Sequence, residues 1–244
     1  MQRTNSEIRK QARQALEGNW GKAVLAMLIV LLITEVVPAP FQFVTDNPLT
    51  QSMPQLIVAL LCLPLYWGFD VFILRIVRAE RVQLSNLFDG YKDFWRIFLA
   101  SLLYAVYVLL WTLLLIVPGI IKSLSYAMMP YVLKDNPEMG GEEAIHRSRV
   151  LMDGHKMKLF LLYLSFIGWA ILCLLTLGIG FLLLAPYVDA SKAAFYESLL
   201  KEEKEKMAQE PAAAASDFDF NVADDPQAPA DTKDVDFEES DSDE

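Results

Sequence analysis

Ionisable side chains inside apolar runs carry the most chemical information in this chain. Four stand out, Asp70, Lys122, Asp189 and Lys192, with Glu35 near the end of an earlier run. A carboxylate facing hydrocarbon costs at least about 2.5 kcal/mol, so each needs a partner or water. Asp189 and Lys192 are three residues apart and pair on one helix face. Asp70 precedes Arg75 by five residues, which sets it about 7.5 Å along a helix from that charge. Lys122 follows the Pro118-Gly119 turn closely enough to extend its stem to the surface. Asp70 and Asp189 are each expected to meet a basic residue or the phenol of Tyr66 or Tyr187. Two readings fit them: local ion pairs that pin helices, or a small polar vestibule for a ligand or lipid headgroup.

Other candidate chemistry is weaker. Glu142, Glu143 and His146 have the spacing of metal ligands on a helix, but in a charged stretch they read as a solvated face. Arg147, Arg149, Lys156 and Lys158 are candidates for contact with lipid phosphate. Gly178-Ile179-Gly180 is a turn. There is no Walker loop, H-E-x-x-H, G-x-S-x-G or paired Cys-x-x-Cys. No metal, cofactor or nucleic-acid partner is expected.

The elements that must position these groups are apolar runs. Candidate spans are Ala23–Val37, Leu56–Val77, Ile97–Val117, Gly119–Leu133, Leu159–Leu177 and Phe181–Tyr196. A crossing helix needs about 20 apolar residues, which the first run meets only if it continues past Pro38 towards Val44 and the fourth and sixth approach only from below. Basic connections (Arg3 to Lys22, Arg75 to Arg96, Lys134 to Lys158) alternate with nearly bare ones. Positive charge is retained on the cytoplasmic side, so both termini are expected there. The composition predicts an all-α polytopic membrane bundle of about six transmembrane helices. Cys62 and Cys173 fall inside apolar runs and read as packing residues.

A unit recurs. Glu17-Gly18, Asp89-Gly90 and Asp153-Gly154 each precede a span. Two, three and six residues before each Gly stand Leu16, Ala15 and Ala12; Phe88, Leu87 and Leu84; Met152, Leu151 and Ser148. Those offsets share one helix face. Each unit closes with Pro in a second span, in Pro64-Leu65-Tyr66, Pro130-Tyr131-Val132 and Pro186-Tyr187-Val188. The expected fold is therefore three hairpins, each preceded by an amphipathic interfacial helix and bent at the Pro. Thr4-Asn5-Ser6-Glu7 opens the first helix as a capping box.

Charge divides the chain at residue 206. Residues 1–206 hold 20 Lys and Arg against 18 Asp and Glu, whereas 207–244 hold one Lys against 13 acids. The expected domains are a membrane bundle over 1–206 and a disordered acidic cytoplasmic tail over 207–244, with Pro211 and Ala212–Ala215 ending the last helix. Phe218, Phe220 and Phe237 are lone aromatics among the acids. They read either as docking points for a basic cytosolic protein or as parts of a solvating tail.

The blocks Ile116-Val117-Pro118-Gly119-Ile120-Ile121-Lys122-Ser123-Leu124-Ser125-Tyr126, Pro130-Tyr131-Val132-Leu133 and Asp135-Asn136-Pro137 resemble the DUF975 family of bacterial membrane proteins. So do Glu143-Ala144-Ile145, Ser148-Arg149, Gly154-His155-Lys156, Leu164-Ser165-Phe166-Ile167-Gly168-Trp169, Leu175-Thr176-Leu177-Gly178-Ile179-Gly180 and Ala194-Phe195-Tyr196-Glu197. The resemblance implies a multi-helix protein of the bacterial cytoplasmic membrane. It extends to the membrane domain attached to some glycerophosphodiester phosphodiesterases, and it carries no activity over. The function expected from the whole sequence is non-enzymatic: a scaffold, regulatory or lipid-organising module in contact with membrane lipids. A small transporter or channel is the alternative, and a lipid enzyme a third reading.

Overall fold

The computed structural model describes residues 4–43 and 47–220, and among them every regular element is helical. Phe237 lies outside the described residues. The chain divides into two units, Met1–Glu202 and Glu203–Glu244, the boundary falling four residues before the break in charge.

The first repeat begins with α1 (Asn5–Leu16). Its capping box is present: the Thr4 N–H donates to Glu7 Oε2 at 2.7 Å, and the Glu7 N–H donates to Thr4 Oγ1 at 3.4 Å. Ile8, Ala12 and Leu16 form its buried stripe. Gly18 then adopts φ +80°, which a side chain would resist, and the chain turns by 92° into α2 (Trp20–Leu31). A π turn, Leu32–Val36, extends α2. There the Thr34 hydroxyl donates to the Val30 carbonyl at 2.9 Å. α3 (Pro48–Leu61) and α4 (Leu63–Val77) follow, bent by 43° at Cys62, with Pro64 in the first turn of α4 where its missing N–H costs nothing. α4 lies in the core of the first unit. Ten of its fifteen residues are buried, among them Leu65, Trp67, Phe69, Phe72 and Ile76, so it is apolar nearly all round.

The second repeat departs from the expected pattern. Its amphipathic element, Leu84–Tyr91, is a 3-10 helix. The cause is close backbone approach. A Cβ on Gly68 would strike the Leu87 carbonyl, and one on Gly90 the Pro64 carbonyl. Three residues per turn stack Leu87 and Gly90 on the side facing α4. Phe88, expected on the buried face, is 45% exposed as a result. Gly68→Ala is expected to force the two backbones apart at a cost of about 1–3 kcal/mol. Thermal unfolding in detergent measures it, and a variant as stable as the parent would show that the approach is not needed. Beyond this element run α5 (Phe94–Leu114), α6 (Ile116–Tyr126) and α7 (Met129–Asp135). Pro130 lies in the first turn of α7, as Pro64 does in α4.

The third repeat comprises α8 (Gly141–Leu151), α9 (Lys156–Leu164), α10 (Ile167–Leu175) and α11 (Phe181–Phe220). Gly154 turns the chain with φ +73°, as Gly18 does in the first repeat. α11 runs past Pro186 without a break, and it corrects one expectation: it continues through Pro211 to Phe220. Pro186 sits in the second turn, where it removes a single intrahelical bond. Ala212–Ala215 are the strongest helix formers available to carry the chain past Pro211.

Three stretches among the described residues are long and apolar enough to cross a membrane: Phe94–Leu114, Ile116–Asp135 and Lys156–Leu175. There are five if each bent pair, α1 with α2 and α3 with α4, counts as one span.

Candidate functional site

Helices α4, α7 and α11, each carrying one of the recurring prolines, meet within the first unit, and ionisable groups on them join there. Lys192 of α11 donates through Nζ to Asp70 Oδ1 of α4 at 2.6 Å. Asp189, one turn earlier on α11, lies 3.8 Å from the same ammonium. The side chains of Asp70, Asp189 and Lys192 are 18, 27 and 14% exposed, too little for water to replace their mutual contacts. The Tyr131 ring of α7 lies beneath the Lys192 ammonium at 5.4 Å. One lysine therefore serves both carboxylates. The phenols of Tyr66 and Tyr187 are not the partners: Tyr66 is exposed, and Tyr187 donates to the Arg9 carbonyl.

A second ionic layer follows along the same helices. Arg78, capping α4, donates from Nη1 and Nη2 to both oxygens of Asp135 at 2.7 and 2.6 Å. Its Nε donates to Glu197 Oε1 at 2.7 Å. The Tyr196 hydroxyl donates to Asp135 Oδ2 at 2.9 Å, and its ring lies 5.2 Å from that of Tyr131, linking the two layers. The Asp135 carboxylate raises the Arg78 guanidinium above its ordinary value, against the opposing effect of burial. α4, α7 and α11 are also joined away from the charges, where Trp67 Nε1 donates to the Pro130 carbonyl at 3.0 Å.

Beside the Lys192 cluster is a cavity of about 360 Å³ whose lining includes Asp70, Lys192, Tyr104, Tyr126, Tyr163 and Ser123. A polar ligand entering it would meet an ammonium, a carboxylate and several phenol rings. Asp70 accepts through Oδ1 alone among its described contacts.

The other sequence-derived candidates lie elsewhere. Lys122 stands 4.8 Å over the Trp111 ring, away from the ionic layers. Glu35 is exposed in the π turn. Arg147 and Arg149 are on α8, and Lys156 and Lys158 open α9, with Lys156 4.0 Å from Asp153. Glu143 Oε2 accepts from the Gly140 N–H at 3.1 Å, a helix-capping role, and no three potential metal ligands converge among the described residues. Phe218 and Phe220 close α11.

Sequence reasoning expected a basic partner for Asp70 without naming Lys192, and it missed the Arg78 network. A signal for the first was present: Asp70 and Lys192 both stand six residues past their repeat's proline, so homologous registers bring them to the same depth. Asp135, Tyr196 and Glu197 all stood in the blocks that carried the family resemblance.

Asp89, the acid of the second acid-Gly pair, accepts from Arg75 at 2.7 Å and from Asn86 at 3.2 Å, and Lys92 lies 2.8 Å away. Burial pushes this carboxyl upward, yet Lys92 and Arg75 outweigh it and hold it below its ordinary value. A depressed carboxyl contributes stability that is present above its unfolded value near 4 and is lost as pH falls through the folded one. Asp89→Asn is expected to lower the melting temperature at pH 7 and to narrow that deficit near pH 3. A deficit constant across this range would mean that packing, not charge, is responsible.

No curated protein and no solved structure matches the chain. Residues 1–125 and 112–203 match the model of the family described as Protein of unknown function (DUF975). The helical body with its two ionic layers lies within the matched residues, and the chain belongs to the DUF975 family.

Proposed function

We propose that this chain is a six-span integral protein of the bacterial cytoplasmic membrane, with both termini cytoplasmic, acting as a non-enzymatic scaffold or lipid-organising module. One observation carries the reading: the first unit exposes large apolar side chains, while charged groups of its packed helices are paired with one another. α5 buries only Ile97 and Ala100. Leu113, Leu175 and Leu177 are 82, 78 and 95% exposed, a surface that water would not tolerate and lipid would cover. Asp70, Arg78, Asp135, Lys192 and Glu197, on or capping α4, α7 and α11, are meanwhile paired with one another. On this reading α3 with α4, and the first half of α11, are full crossings, the three hairpins enter from the cytoplasm, and α1, Leu84–Tyr91 and α8 lie at the inner surface. The acidic tail offers contact to a basic cytosolic protein, which a pull-down with and without residues 207–244 tests.

Topology is checked by single cysteines at Val117 and Leu177, which are expected to react with an impermeant thiol reagent in intact cells, whereas Ser85→Cys is not. The native Cys62 and Cys173 are replaced by Ser in the background of these variants. Labelling at Ser85 would overturn the arrangement.

The cavity beside Asp70 and Lys192 favours a second reading, a small transporter that takes a polar solute at the repeat interface. Solute flux in proteoliposomes, lost in Asp70→Asn while the fold survives, would support it over the scaffold.

A further inference from the structure

A separate cavity of about 310 Å³ lies between the first and third repeats. Its lining includes Trp20 of α2, Trp169 and Cys173 of α10, and Leu184 and Tyr187 of α11, with Arg13 of α1 as its charged member. The α11 residues that line it run from Leu183 to Tyr187, ~6 Å of axial rise, and Gly180 lines it just before the helix begins. Leu172, Leu183 and Trp169 are each half exposed, so the cleft opens sideways on the apolar surface. The guanidinium of Arg13 stands 5.9 Å over the Tyr187 ring, and no carboxylate pairs with it among the described residues. α1 is amphipathic and bent by 92° from α2, which sets Arg13 where a helix leaves the interfacial plane for the apolar layer.

We infer that this cleft holds one acyl chain of an anionic phospholipid of the inner leaflet, with the lipid phosphate on Arg13. The inference rests on the membrane reading above and gives the lipid-organising role a site. A guanidinium matches phosphate with two parallel donors. Trp20 has the amphipathic ring that favours the headgroup boundary. An acyl chain is the one apolar partner always present at a lateral opening in a bilayer, and Arg13 makes the anionic class the preferred one.

The test uses the full chain, exchanged into mixed phosphatidylglycerol and phosphatidylcholine and analysed by native mass spectrometry. One phosphatidylglycerol is expected to stay bound in preference to phosphatidylcholine. Arg13→Gln is expected to lower that preference about tenfold, the worth of one charge-assisted contact, and Arg13→Lys to restore part of it. Site occupancy is read independently in a Cys62→Ser protein, where Cys173 should react with a membrane-permeant maleimide more slowly in phosphatidylglycerol than in phosphatidylcholine. Inorganic phosphate should give no such protection, which separates a bound lipid from an anion site alone. Equal lipid preference in Arg13→Gln and parent, protection of Cys173 by either lipid alike, or a two-chain species in place of the lipid adduct would overturn the proposal. A chain that fractionates with membranes yet retains no phosphatidylglycerol loses the site alone, whereas a chain found outside the membrane loses the wider reading as well.

Discussion

Lys192→Met is expected to remove about 3–5 kcal/mol of stability, the largest effect of any single change proposed for this protein. The methionine keeps the volume and stem of the side chain and deletes only the ammonium. Asp70 and Asp189 are then left facing each other's charge, at 18 and 27% exposure, with no cation between them. An uncompensated buried charge is worse than a missing ion pair, because the desolvation already incurred has nothing to offset it. For a body of about 200 residues the loss corresponds to roughly 10 °C in melting temperature. Asp70→Asn should cost less, since Lys192 keeps Asp189, and Asp189→Asn least, since its contact is longer and more exposed. The double variant Asp70→Asn with Lys192→Met should recover part of the loss of Lys192→Met alone. Thermal unfolding in detergent ranks the four. If Lys192→Met melts with the parent while Asp70→Asn does not, the lysine is not the hub of this cluster.

Arg78→Ala is expected to cost about 3 kcal/mol, and Arg78→Lys about half of that. Arg78 makes three charge-assisted bonds to two acids from different repeats, Asp135 on α7 and Glu197 on α11. Each such bond contributes about 1.5–3 kcal/mol, and together they fall short of the sum because Asp135 keeps Tyr196 as a donor. Lysine restores charge but lacks the planar fork that reaches both carboxylates at once. With the three side chains 23–29% exposed, the penalty should shrink as salt rises, which the Lys192 penalty should not do to the same degree. Full rescue by lysine would show that net charge, not fork geometry, holds the helix ends together.

Much of the scaffold was legible because each clue was local. The capping box at Thr4 and Glu7 depends on four consecutive residues, and it formed. The acid-Gly breaks at residues 18 and 154 depend on a turn that favours glycine, and both take positive φ. Gly90 shows where local reading ends. Its offsets matched those of the other two, yet it serves close approach to α4 instead of a left-handed turn, and its element tightens into a 3-10 helix. The difference lies in Pro64 and Gly68, more than twenty residues upstream, which no window around residue 90 contains.

The sequence by itself determined that the chain is helical, that it carries apolar runs long enough to cross a membrane, that an acid-Gly pair recurs three times, and to which family it belongs. Those properties follow from periodicity, composition and motif order, which are one-dimensional. Only the tertiary structure decided that Lys192 takes Asp70 from a helix 122 residues away in preference to its own neighbour Asp189. It alone gathered Arg78, Asp135 and Glu197 into one network and opened the cleft beside Arg13. The physical reason is that hydrophobic patterning reports that a face is buried but not against what. An ion pair forms at an ångström-scale separation that depends on how whole helices cross, and the strongest partner is the one that packing brings within about 3 Å.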